Sequence, residues 1–208
     1  YTEIQYQKGY PDGFENHFWT RARNFIIKNA ILKNALQNEK VLEIGCGRGS
    51  TVKYLQDNAI CCFGVELANC TPINGAEKYI RINTNALTLE KFECESYTVL
   101  MMLDVVEHLQ NPTKFLRKIL AKFRNAKSLI ITVPARMDIW SNYDEFWGHF
   151  SRYDRRSIET LIESGQMAQI YSSYFFNSLY PAAKIQLAIQ KSRKLETQAP
   201  VGASIFLH

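Results

Sequence analysis

No part of this 208-residue chain is apolar for long enough to read as a membrane span. The longest candidate, 167–190, is broken by Gln169, Asn177, Pro181, Lys184 and Gln186, whereas a spanning helix needs about 20 largely apolar residues. The amino end lacks a charged region followed by an apolar one, so no secretory leader is read there and a cytoplasmic protein is expected. The five cysteines are odd in number and show neither CxxC nor Cys/His ligand spacing, which argues against a disulfide framework or a zinc ribbon and fits reduced thiols. No repeat is present, which excludes solenoids and propellers. The net charge of +5 is dispersed apart from Arg152, Arg155 and Arg156 and the later Lys191, Arg193 and Lys194, so a nucleic-acid partner is disfavoured and a solvated face is the simpler reading.

What is present is an ordinary globular composition, 46% hydrophobic and 22% charged, in a chain whose length suits one domain over 1–208. Residues 20–37 place apolar side chains at helical spacing. VLEI (41–44), ICCFGVE (60–66), YIRIN (79–83), YTVLMML (97–103) and SLIITV (128–133) read as strands. A helix over 50–58 separates the first two strands. Asn111 before Pro112 reads as an N-cap followed by a proline at the first helical position. A further capped helix is expected from Asp154 to Ser164, stopped by Gly165. Strands alternating with helices specify a doubly wound, mainly parallel sheet, whose ligands bind beyond the carboxyl ends of the strands.

The stretch VLEIGCGRGS (41–50) puts three glycines at alternate positions directly after the first strand. A dinucleotide fingerprint is G-x-G-x-x-G. Here the position of its third glycine is Ser50, and no Walker Lys-Ser/Thr pair follows, so the loop brings bare backbone to a ligand without a phosphate cradle. Glu66 ends the second strand about twenty residues on, where a carboxylate accepts two hydrogen bonds from ribose hydroxyls. Strand, glycine loop and strand-end acid make a nucleoside pocket.

These residues resemble the class I S-adenosylmethionine-dependent methyltransferases, small-molecule and ubiquinone-biosynthesis-like branch. The match runs through Glu43 to Gly49, Gly64-Val-Glu66, Asn85-Ala86, LDVVEHL (103–109), ITVPA (131–135) and WGHFSRYDRRSIETLIESG (147–165). The resemblance implies a Rossmann-like fold with a seven-stranded sheet, its last strand antiparallel, and an amino-terminal helical lid over 1–37. The cofactor-binding core would span 38–135 and the substrate-side segment 136–208. It further implies S-adenosylmethionine as cofactor and S-adenosylhomocysteine as product. Gly45 and Gly47 would pass beneath the methionine part, Glu66 would hold the ribose, and Leu67 and Ala86 would flank the adenine. Asn85, where the family usually has Asp, would reach the exocyclic amine. The Leu103 carbonyl and Glu43 would face the ammonium side, and Arg21 or Arg23 would pair with the cofactor carboxylate.

A sulfonium is already an activated methyl donor, so the protein has to align a nucleophile and, for a hydroxyl acceptor, remove a proton. His149, in the aromatic segment 140–153, is the candidate general base, the alternative being a ring that only packs the loop. No metal ligands are assigned. Asp104, Glu107 and His108 nevertheless resemble, with His149, the divalent-ion motif of certain O-methyltransferases. MAQIYSSYFF (167–176) and GASIFLH (202–208) read as the last two strands. The residues between them suit a helix that could act as a substrate lid, a membrane-surface contact or a dimer contact. The expected activity is methyl transfer to a small-molecule or lipid-linked acceptor, at oxygen. The alternatives are an RNA-directed methyltransferase and a catalytically silent cofactor-binding scaffold.

Overall fold

Val41, Leu42, Glu43 and Ile44 are all buried and form β1 of the computed structural model, which describes residues 9–11, 13–190 and 205–207. β1 (Val41–Ile44) pairs in parallel with β2 (Cys62–Val65), from Val41 opposite Cys62 to Ile44 opposite Val65. On its other side it pairs in parallel with β4 (Val99–Leu103), Val41 opposite Val99 and Glu43 opposite Met101. β3 (Ile80–Arg81) extends β2, and β5 (Ser128–Thr132) completes the sheet in the order β3-β2-β1-β4-β5. The chain therefore works outward from β1 to β3 and then crosses back to β4. That reversal between β1 and β4 is the switch point at which an α/β sheet opens a crevice for ligands.

The pattern explains the burial. Every residue of β4 is buried, as a strand covered on both faces requires, and its VLMML sequence is the continuous apolar run that such strands show. α1 (Phe18–Lys33) contributes buried Ile27 and Ile31, and α2 (Ser50–Asp57) contributes Val52 and Leu55. Each such side chain is worth about 1.5–3 kcal/mol on burial. α3 (Lys91–Cys94) precedes β4. α4 (Pro112–Lys122) begins where the Asn111-Pro112 pair predicts, with Asn111 Oδ1 accepting from Lys114 N at 2.9 Å.

Two compact units are distinguished in the chain: residues 13–103 with Arg117–Ile130, and residues 9–11 with Asp104–Leu116 and the residues from Ile131 on. The second holds α5 (Asn142–Trp147), α6 (Arg155–Ser164), β6 (Ser173–Phe175), α7 (Leu179–Gln190) and β7 (Ile205–Leu207). Asp154 caps α6 by accepting from Ser157 N, as expected. Among the described residues the central sheet has five strands rather than the expected seven, and β6 pairs antiparallel with β7 in a two-stranded sheet. Strand number was readable from local sequence; which sheet each strand joins depends on register, which local sequence does not encode.

Candidate functional site

The glycine loop is held by hydrogen bonds to the end of β2 and the residue that follows it. Gly45 N and Cys46 N both donate to the Val65 carbonyl, at 2.8 and 3.2 Å. Gly47 N donates to Glu66 Oε2 at 2.8 Å, and Ala68 N donates to Oε1 at 2.8 Å. Glu66 therefore ties the loop after β1 to its own strand end. Each carboxylate oxygen has a second lone pair, so two acceptor sites remain for a pair of hydroxyls. Gly45 and Gly47 lie at φ 79° and 53°, in the left-handed region that other residues enter only at a cost of roughly 1–2 kcal/mol.

Gly49, at φ 83°, precedes α2, and a Cβ there would lie 3.0 Å from Ile80 Cδ1 and Ala76 Cβ. It thus performs the helix-to-sheet packing that a dinucleotide fingerprint assigns one residue later. Gly64 belongs to the Gly64-Val-Glu66 match, which gave it no role of its own. A Cβ on it would meet Cys46 Sγ at 2.6 Å, so the cysteine at the centre of the loop requires a bare backbone on β2. Burial, and then the Glu43 and Glu66 carboxylates, push the Cys46 thiol well above its ordinary pKa, which makes it a packing group.

The other expected cofactor residues lie in the same unit. Glu43 is buried in β1 and Leu103 at the end of β4. Ala86 is buried and Leu67 stands out at 67% exposure. Asn85 caps a 3₁₀ turn (Ala86–Thr88), its Oδ1 accepting from Leu87 N at 3.0 Å; the oxygen expected at the adenine amine thus already carries one hydrogen bond. Arg23 on α1 places its guanidinium 3.5 Å from Thr51 Oγ1 on α2, whereas Arg21 is exposed.

In the second unit, α5 is closed at both ends, and the closure brings His149 back to its first turn. Ser141 and Asp144 form a capping box at the start. At the end Gly148 takes φ 70°, Gly148 N donates to Glu145 O and His149 N to Asp144 O at 2.9 Å, the two bonds of a Schellman motif. Asp144 is therefore near both ends of one short helix. Its Oδ1 faces His149 Nδ1 at 2.9 Å and accepts from Arg152 Nε at 2.7 Å. Its Oδ2 accepts from Ser141 N at 3.0 Å. Arg152 is buried and also donates to the Ala135 carbonyl at 3.0 Å. Burial alone would raise the Asp144 pKa, but the hydrogen bond from His149 and the Arg152 guanidinium outweigh it and hold the carboxyl below its usual value.

The segment after Gly148 is stitched to the residues that follow β4: Phe150 N donates to Glu107 O at 2.7 Å and Tyr153 Oη to Val106 O at 3.3 Å. The rings of His108 and His149 consequently meet edge to face at 4.8 Å. One ligand atom from each of Glu107, His108 and His149 lies within 4.8 Å of the others. Glu107 is fully buried; desolvation and then the Asp104 carboxylate push its pKa well above the ordinary range. Its Oε2 makes no hydrogen bond among the described residues. Burial, then His149, lowers the His108 pKa to about 4, so that ring is neutral at physiological pH. Asp104 stands outside the trio. It has φ 55° and accepts from Thr132 Oγ1 at 3.1 Å.

A glycine loop bound to a strand-end carboxylate, at the switch point of a parallel sheet, defines a nucleoside-binding α/β domain. Residues 15–168 match the family described as Methyltransferase domain, and the chain belongs to it. It is an S-adenosylmethionine-dependent methyltransferase. Similar solved structures share the fold. The magnesium protoporphyrin IX methyltransferase of Synechocystis, solved with S-adenosylhomocysteine, is 13% identical with a TM-score of 0.62, over 98% of this chain and 91% of that one. The 1,6-didemethyltoxoflavin-N1-methyltransferase of Burkholderia thailandensis is 16% identical with a TM-score of 0.61, over 98% and 84%. The methyltransferase domain of a bacterial Hen1 is 16% identical with a TM-score of 0.54, over 89% and 95%. No curated protein matches. No helix among the described residues is long and apolar enough to cross a membrane.

Proposed function

We propose that the protein transfers the methyl group of S-adenosylmethionine to an oxygen atom of a small-molecule or lipid-linked acceptor. The observation that carries this reading is the meeting of His149, oriented by a buried carboxylate, with His108 and Glu107. An imidazole held by a third group and presenting its second nitrogen is suited to remove a hydroxyl proton as the oxygen attacks a sulfonium methyl. An amine acceptor that arrives deprotonated has no such need. His149 is the general base of this reading. Glu107, His108 and His149 also offer a mixed oxygen and nitrogen donor set suited to Mn²⁺ or Zn²⁺, and the buried Glu107 Oε2 without a hydrogen bond among the described residues fits a cation. A cation bound there would occupy the free His149 nitrogen and, in place of a general base, act as a Lewis acid on the acceptor oxygen.

On the cofactor side, Glu66 would take the ribose hydroxyls with its two remaining lone pairs. Gly45 and Gly47 would pass beneath the methionine part, with Glu43 and the Leu103 carbonyl towards the ammonium group. Leu67 and Ala86 would enclose the adenine, and Asn85 would meet its amine. Arg23 would receive the carboxylate from an amino-terminal lid. Tyr143, Phe146 and Trp147 cluster on α5, which supports a planar or apolar acceptor. The test is methyl transfer from labelled S-adenosylmethionine to a panel of phenols, alcohols, amines and a short RNA. Label in the hydroxyl acceptors, lost in His149→Gln, supports the reading; label confined to amines or RNA overturns it.

A further inference from the structure

The Glu107, His108 and His149 trio is held by a second layer of groups whose bonds decide which atoms it can offer. Asp144 accepts from Arg152 Nε at 2.7 Å and from Ser141 N at 3.0 Å, and it lies fully buried beside an equally buried guanidinium. With a guanidinium and a backbone amide donating to it, this carboxylate acts as an acceptor. The remaining short contact, from His149 Nδ1 at 2.9 Å, must then be supplied by an N–H on the ring. A neutral imidazole has one N–H, so the lone pair falls on Nε2. The His108 ring lies edge to face with that of His149 at 4.8 Å. The third member, Glu107, keeps an Oε2 that is buried and makes no hydrogen bond among the described residues. A ring whose one nitrogen is engaged by a carboxylate, beside a second ring and a buried carboxylate oxygen, is how proteins prepare an imidazole as a metal ligand.

We infer that Asp144, locked by Arg152, is the positioning residue of this trio: it holds His149 in the Nδ1–H tautomer and so presents Nε2, with His108 and Glu107, as a divalent cation site formed before the ion binds. The inference rests on the oxygen-acceptor reading given above in its cation form: with an ion on Nε2 that lone pair no longer takes the hydroxyl proton, and polarisation by the cation would replace the general base. Three protein ligands would leave positions open for an oxygen of the acceptor, as catalytic rather than structural sites do. Asp144 touches no reacting atom in this scheme; it acts through His149.

Long-range ¹H–¹⁵N spectra of the full chain without added metal report the tautomer directly, the His149 signals being identified by their loss in His149→Gln. Protonated Nδ1 with an unprotonated Nε2 is expected in the wild type, with a shift towards a mixture of tautomers in Asp144→Asn. A wild-type ring protonated on Nε2 overturns the inference, and that spectrum decides even if the variant misfolds. Titration with Mn²⁺ alone, followed by electron paramagnetic resonance, should show one bound ion in the wild type and about 10- to 100-fold weaker binding in Asp144→Asn. A wild type that takes no Mn²⁺, or a folded variant that binds it equally well, also overturns the proposal. S-adenosylhomocysteine affinity should be the same in both proteins. Its absence from both would count against the methyltransferase reading and leave the tautomer and Mn²⁺ results standing.

Discussion

Replacing Asp144 with alanine removes one half of a fully buried ion pair, and the structure gives the cost. The carboxylate is at 0% exposure and Arg152 at 1%, so after the substitution the guanidinium keeps the Ala135 carbonyl at 3.0 Å but loses its counter-charge. Breaking a buried pair from one side costs about 3–5 kcal/mol, because a charge is left desolvated. For a chain of this size each kcal/mol moves Tm by about 2–4 °C, so Asp144→Ala should melt roughly 6–20 °C below the wild type. Removing both charges should cost less than the sum of the single changes: Arg152→Met in the Asp144→Ala background should recover part of the loss. Urea denaturation of the four proteins yields the coupling energy. A loss under about 1 kcal/mol for Asp144→Ala, or strictly additive changes, would refute the claim that this pair is a desolvated unit.

Three further outcomes are expected. Glu66→Ala removes the acceptor of Gly47 N and Ala68 N as well as the proposed ribose partner, and should weaken S-adenosylhomocysteine binding tenfold or more, about 1.5–3 kcal/mol, with a lowered Tm; calorimetry and a melting curve check both. Gly64→Ala drives a methyl to 2.6 Å from Cys46 Sγ and 2.7 Å from its Cβ and should cost about 1–3 kcal/mol in denaturant, partly restored by also changing Cys46 to glycine, which removes both atoms. Acidification should destabilise the protein through His108. Its folded pKa of about 4 lies below the ordinary 6.5, so between these values the unfolded chain binds the extra proton and stability falls as pH falls, by at most about 3 kcal/mol. Glu107, raised by burial, works the other way: its stabilising contribution is complete at low pH and is lost as pH rises through its folded value. The slope of urea midpoints from pH 7 to 4 should flatten in His108→Gln.

Local signals in the sequence carried over well because the physics behind them is local. β1 has the bounds read for it, Asn111 caps the helix that Pro112 opens, and Asp154 caps the helix that Gly165 follows. The glycine loop and Glu66 were legible because a strand, bare backbone and an acid at a fixed distance leave a linear trace. The grip of Glu66 on Gly47 N was not, since it joins residues nineteen apart through tertiary structure. The same holds for Gly64, whose bareness answers to Cys46 in the loop after β1. Ser141-Asn-Tyr-Asp144 is a readable capping box, and Gly148 a readable stop. Their joint effect, folding His149 and Arg152 back onto Asp144, appears only once the chain reverses. Asp104 shares the spacing of the acid, Glu and His motif, yet its backbone turns at φ 55° and its carboxylate accepts from Thr132, which spacing alone does not encode.

The central claim, an adenosyl cofactor seated on the glycine loop and held by Glu66, is tested most directly by titrating S-adenosylhomocysteine into the purified wild-type protein by calorimetry. Saturable binding at one site per chain, weakened in Glu66→Ala, is the predicted result. A folded wild-type protein that gives no binding heat, and no rise in Tm with S-adenosylhomocysteine in excess, would contradict it.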